Sequence, residues 1–128
     1  MNERSILIAG SREGVPESFV YTCLTELDWG LIKKIYTGGA TGVDEFAELF
    51  IKENYPDKEF ETIEPDMEKY PPSLAPLKRN QELVTTVDGV VIIWNGKSSG
   101  TSFVKDYAET QDKLWKIFLY NQQTLEDF

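Results

Sequence analysis

Lys33-Lys34-Ile35-Tyr36-Thr37-Gly38-Gly39-Ala40-Thr41-Gly42-Val43-Asp44-Glu45-Phe46-Ala47-Glu48 is the stretch on which the reading of this chain turns. Ile35-Tyr36-Thr37 has the character of a short buried strand, and helical periodicity starts at Val43. Between them, three of the five residues 38–42 are glycine. Glycine admits positive φ and lets a ligand lie directly on the backbone. The helix that follows turns its unpaired N–H groups and the positive end of its dipole toward the loop. Two readings are open: a phosphate-binding loop, or a tight strand-to-helix turn without a ligand.

A second stretch of the same build lies further on. Gly89-Val90-Val91-Ile92-Ile93-Trp94 is the most apolar run and reads as the central strand. It enters Asn95-Gly96-Lys97-Ser98-Ser99-Gly100-Thr101, and a helix with Phe103, Val104, Tyr107 and Ala108 on its inner face follows. Glycines, hydroxyls and Lys97 thus converge at another helix N-terminus. The Walker pattern GxxxxGK[ST] and the dinucleotide pattern GxGxxG are both absent, so neither an ordinary ATP-hydrolysing loop nor a dinucleotide fingerprint is supported.

The remaining segments fit around these two. Ser5–Ala9 is a near-continuous apolar run, as in a strand covered on both faces, and it ends in Gly10-Ser11-Arg12. Pro16 suits a first helical turn, Val20, Cys23, Leu24 and Leu27 recur at helical spacing, and Trp29-Gly30 ends the segment. In the helix opened by Val43, the stripe Val43, Phe46, Ala47, Phe50, Ile51 faces a core, while Asp44, Glu45 and Glu48 complement the dipole. Asp44 has two roles open to it: favouring the helix start, or accepting a hydrogen bond from a ribose hydroxyl. Glu59–Ile63 alternates as an acidic edge strand. Residues 64–76 form a proline-punctuated loop, long enough to suggest function. Leu77–Val84 reads as a helix with Lys78, Arg79, Asn80 and Gln81 near its start and Leu77, Val84 and Val87 as its stripe. Leu114–Tyr120 is the last strand, and 121–128 a frayed acidic tail.

The order β-α-β-α-β-loop-α-β-α-β predicts an α/β, Rossmann-like, doubly wound and mostly parallel five-stranded sheet with helices on both faces. One domain over 1–120 accommodates it, since 128 residues suffice for a single core. All three suspicious loops then follow strands at the same C-terminal edge, where open α/β sheets bind ligands. Arg12, Lys78, Arg79, Lys97 and Lys105 are expected to gather there. A net charge of −9 opposes broad nucleic-acid binding, so a locally positive site on this chain suits a small anion better than a polyanion.

Other classes are narrowed by composition. The chain has no histidine, which removes the usual zinc ligand and the commonest general base; no metal and no cofactor is expected. Its one cysteine, Cys23, falls on an apolar helix face and reads as buried and inert. No secretory pattern opens the chain, and no run nears the roughly 20 apolar residues of a membrane span. A reducing, cytoplasmic location and no membrane partner are the expectation. Self-association is compatible with the sequence.

Four motifs in order carry a resemblance to a known family: Ile8-Ala9-Gly10-Ser11-Arg12; Thr37-Gly38-Gly39-Ala40-Thr41-Gly42-Val43-Asp44 with Ala47-Glu48; Lys78-Arg79-Asn80-Gln81; and Trp94-Asn95-Gly96-Lys97-Ser98-Ser99-Gly100-Thr101. Over residues 5–120 the chain resembles the SLOG superfamily, which unites the Smf/DNA-processing protein A proteins with the Lonely Guy cytokinin-activating enzymes. It looks most like the small YspA-like branch of bacteria and their phages. The resemblance implies a Rossmann-like domain binding a nucleotide or nucleotide-derived small molecule, as a sensor or sequestering module. The implied ligand contacts are Gly10, Ser11, Arg12, Gly38, Gly39, Ala40, Thr41, Gly42, Asp44, Arg79, Asn80, Asn95, Gly96, Ser98, Ser99, Gly100 and Thr101.

One departure bears on catalysis. Lonely Guy phosphoribohydrolases carry a Glu three residues after the Thr of their second Gly-Thr motif, and here that position is Val104. The balance therefore leans away from an enzyme. The alternative, a nucleoside-monophosphate phosphoribohydrolase or N-glycosidase, would need Asp44 or Glu45 as its carboxylate. A third class, single-strand DNA binding, is suggested by Arg79-Asn80 and opposed by the net charge.

Overall fold

A computed structural model of the protein describes residues 3–121. Its strands are β1 (Arg4–Gly10), β2 (Ile32–Thr37), β3 (Glu59–Thr62), β4 (Gly89–Trp94) and β5 (Leu114–Leu119). Its helices are α1 (Glu17–Thr25), α2 (Val43–Asn54), α3 (Ala75–Thr86) and α4 (Ser99–Thr110), with a 3₁₀ turn over Trp29–Leu31. All strand pairs are parallel and the order is β3-β2-β1-β4-β5. Apart from Asn121, the expected acidic tail lies outside the described residues.

Period-two alternation in the inner strands β1 and β4 divides the core. Ile6, Ile8, Val91 and Ile93 face α1 and α2, where Val20, Leu24, Ile35, Val43, Ala47, Phe50 and Ile51 close over them. Leu7, Val90 and Ile92 face α3 and α4, against Leu83, Val84, Val87, Val104 and Ala108. Each such aliphatic side chain, fully removed from water, contributes about 1.5–3 kcal/mol. This two-sided cover explains why β1 and β4 read as unbroken apolar runs.

Three expectations are corrected in detail. The central strand is β1, flanked by β2 and β4; β4 is apolar because helices cover both its faces, as they do those of β1, and not because it holds the middle place. The helix expected from Leu77 begins at Ala75, inside the proline-punctuated stretch, because Pro76 occupies its first turn, where a missing N–H costs nothing. Leu77 is half-buried and leaves the core stripe, in which Leu83 takes its place.

β3 is the edge strand that its acids suggested, with Lys34 of β2 pairing Glu61 at 2.8 Å. Connections from β1 lead to β2 on one side, while α3 brings the chain back to β4 on the other. The chain leaves β1 toward α1 on one face of the sheet and β4 toward α4 on the other, and at this reversal a crevice opens at the C-terminal edge.

Candidate functional site

A cavity of about 650 Å³ occupies that crevice. Leu7, Ala9, Gly10, Arg12 and Glu13 line it from β1 and its loop, and Gly38, Ala40 and Asp44 from the β2–α2 turn. Pro76, Leu77, Arg79 and Asn80 line it from α3, and Asn95, Lys97, Ser98, Ser99, Gly100, Thr101 and Val104 from the β4–α4 turn. Four chain segments distant in sequence thus share one wall.

The β4–α4 side is a cradle of donors. Asn95 accepts the N–H groups of Lys97 (2.8 Å) and Ser98 (3.1 Å) through Oδ1, and donates through Nδ2 to the Glu13 carbonyl at 3.2 Å. Buried Ser11 accepts the Asn95 N–H at 3.0 Å and lies 3.2 Å from the Ser98 hydroxyl, so the loops after β1 and β4 are stitched together. Trp94 Nε1 donates to the Ser98 carbonyl at 3.1 Å. No side chain caps α4, and the N–H groups of Ser99, Gly100 and Thr101 meet no protein acceptor among the described residues. Such a terminus attracts anions.

Two buried ionic side chains face the same space from the opposite side. Arg79, only 8% exposed, donates from Nε to Asn80 Oδ1 (2.7 Å) and from Nη1 to the carbonyls of Gly38 (2.9 Å) and Ile63 (3.0 Å). Nη2 has no acceptor among the described residues. Burial lowers its pKa, against the opposing pull of Asp44. Asp44, 7% exposed, accepts the Ala40 N–H at 3.2 Å. Burial raises its carboxyl from the ordinary 3.8 to about 6, although the N–H groups of Ala40 and Gly38 and the charges of Arg79 and Arg12 favour the ionised form.

Of the residues named from sequence, Gly10, Arg12, Gly38, Ala40, Asp44, Arg79, Asn80, Asn95, Ser98, Ser99, Gly100 and Thr101 line the cavity. Ser11, Gly39, Thr41, Gly42 and Gly96 do not. Ser11 acts behind the wall through its hydroxyl. Gly39 has φ +74°, and a Cβ there would lie 2.5 Å from Thr62 Cγ2, so its lack of a side chain serves the turn. Glu45, the other carboxylate considered, is exposed and outside the lining.

The expected cluster of cations is smaller than its sequence pattern. Arg12, Arg79 and Lys97 reach the cavity. Lys78 instead lies on the outer side of α3 beside Gln81 and Glu82, and Lys105 pairs with Asp106 (2.8 Å) and Glu109 (3.2 Å). Missed from sequence as lining residues were Leu7, Ala9, Glu13, Pro76, Leu77 and Val104, the last expected only on the inner face of its helix. Of these, Pro76 was signalled by its place one turn before Asn80 on the same helix. Cys23 is buried in the core, and burial pushes its thiol up to about 12.

No protein-family model matches the chain, and no curated protein does. Among solved structures it is similar to DNA processing protein A from Helicobacter pylori, with a TM-score of 0.64 and 21% identity over 94% of this chain and 67% of that one. That protein is described as binding single-stranded DNA in a unique mode. At this identity the likeness shows the fold: a five-stranded parallel α/β arrangement. No helix among the described residues is long and apolar enough to cross a membrane.

Proposed function

We propose that the chain binds a nucleotide or nucleotide-derived small molecule in this cavity, as a sensor or sequestering module of the SLOG type, in the YspA-like branch its motifs resemble. One observation carries the reading: an uncapped helix N-terminus and two buried, incompletely satisfied ionic side chains open into one cavity. The α4 N-terminus with Ser98 and Ser99 suits a phosphate, Arg12 and Lys97 add positive charge at the rim, and Leu7, Pro76, Leu77 and Val104 offer apolar surface to a base. The volume is in the range of small-ligand sites.

Single-strand DNA binding is the second reading, supported by what the Helicobacter protein is described as doing. Against it stand the net charge of −9 and a carboxylate set into the site. Calorimetric titration with a panel of nucleoside monophosphates and a short oligothymidylate tests both. Binding of mononucleotides, with DNA retained weakly or not at all, supports the first reading. Tight DNA binding with a steep loss in salt and no mononucleotide binding supports the second.

A further inference from the structure

We propose that Asp44 is the sugar-recognising group of the cavity, accepting hydrogen bonds from a ribose cis-diol, so that the ligand is a ribonucleotide-derived small molecule in preference to its 2′-deoxy counterpart. This rests on the nucleotide reading above and specifies its substrate class.

Asp44 lines the cavity although 93% of its surface is covered by protein. No Lys or Arg nitrogen comes within 4.0 Å of it, and what it accepts comes from backbone N–H groups alone, that of Ala40 at 3.2 Å and that of Gly38. An ionised carboxylate offers about four acceptor sites and no donor. Arg79, the other buried ion of the cavity, has Nε and Nη1 committed to Asn80, Gly38 and Ile63, leaving Nη2 as an unmatched donor. The cavity therefore presents an acceptor in want of donors and a donor in want of an acceptor. Phosphate oxygens supply no donor to a carboxylate. Hydroxyls do, and a hydroxyl that donates to Asp44 still has lone pairs for Arg79 or for the Asn80 amide. A vicinal diol supplies two O–H groups to the two carboxylate oxygens, a demand that a 2′-deoxyribose meets by half.

The stability cost of the residue points the same way. Burial pushes this carboxyl up to about 6, so its ionised form destabilises the fold at neutral pH. Holding the Ala40 N–H needs only an amide oxygen, which Asn would provide without that cost. The charge is thus surplus to the turn.

The test is calorimetry at pH 8 with two matched pairs, AMP against 2′-deoxy-AMP and ribose 5-phosphate against 2-deoxyribose 5-phosphate, on wild type and Asp44→Asn. The wild type should prefer the ribo member of each pair at least tenfold. In Asp44→Asn that ratio should fall to about one, the ribo affinity dropping while the deoxy affinity holds. A ribo preference that persists undiminished in Asp44→Asn would overturn the proposal by placing recognition of the 2′-hydroxyl on another group. Equal binding of ribo and deoxy members to wild type would overturn this proposal and leave the nucleotide reading standing. An equal loss for both members in the variant would assign Asp44 to the turn. No binding of any probe would remove the nucleotide reading itself.

Discussion

The Arg79 guanidinium lies against the backbone of Gly38: Nη1 donates to the Gly38 carbonyl at 2.9 Å, and a Cβ at residue 38 would stand 2.7 Å from Nη1 and 2.8 Å from Cζ. Through Ile63 and Asn80 the same side chain also ties the end of β3 to α3. Arg79 is therefore a latch among three segments of the site. Arg79→Ala is expected to cost roughly 2–4 kcal/mol of stability, since it leaves inward-facing carbonyls without a donor. Urea denaturation checks this. Arg79→Lys should recover only part, lacking the planar fork that serves separate acceptors. An unchanged midpoint for the Ala variant would contradict the latch.

Gly38→Ala is expected to destabilise by roughly 1–3 kcal/mol, because the added methyl pushes into the guanidinium. The two sites are coupled through that contact and through the Nη1 hydrogen bond to the Gly38 carbonyl. In an Arg79→Ala background the cost at residue 38 should largely disappear. A double-mutant cycle measured by denaturation reads the coupling, and strict additivity would contradict it.

Asp44 makes a prediction about pH. Its carboxyl titrates near 6 in the folded chain, above the ordinary 3.8 of the unfolded one. Between about pH 4 and 6 the folded state keeps a proton that the unfolded state has lost, so stability falls as pH rises through that window and levels off above it. The loss amounts to roughly 3 kcal/mol. Asp44→Asn should match wild type near pH 4 and exceed it by about that amount at pH 7. Thermal or urea unfolding across pH shows whether the two curves separate in this direction.

Gly100 separates anion binding from folding. It stands in the first turn of α4, and a Cβ there would meet nothing within 4 Å. Gly100→Asp should leave stability unchanged or slightly raised, as a carboxylate complements a helix N-terminus. The same charge occupies the anion site, so nucleotide affinity should fall at least tenfold. Retained affinity in calorimetry would move the phosphate away from α4.

Turnover is expected to be absent. Val104, at the position that the sequence resemblance aligns with the Glu of Lonely Guy enzymes, lines the cavity, is 3% exposed and packs in the α3–α4 side of the core. A hydrocarbon there neither stabilises a ribosyl cation nor positions water. Incubation with nucleoside monophosphates should release no free base by chromatography. Release over many turnovers that vanishes in Asp44→Asn would make Asp44 the carboxylate of a hydrolase.

Local pattern determined much of this protein. The alternation of strand and helix periods settled a parallel, doubly wound sheet, because β1 and β4 must be apolar on both faces once helices cover both. The same logic placed the loops after β1, β2 and β4 at one edge, since every strand runs in the same direction. Tertiary structure alone decided what each loop residue does there. Gly39 and Gly96 share the composition of Gly38 and Gly100, yet only the latter two line the cavity. Arg79 reads in the sequence only as a ligand-facing cation, because nothing there shows the Gly38 and Ile63 carbonyls, 41 and 16 residues away, converging on it. Lys78 and Lys105 turn aside for a like reason: which face of a helix a charge takes depends on the packing of that helix. Burial is a property of the assembled fold, and it converts Asp44 from an ordinary first-turn carboxylate into a covered acceptor on the cavity wall.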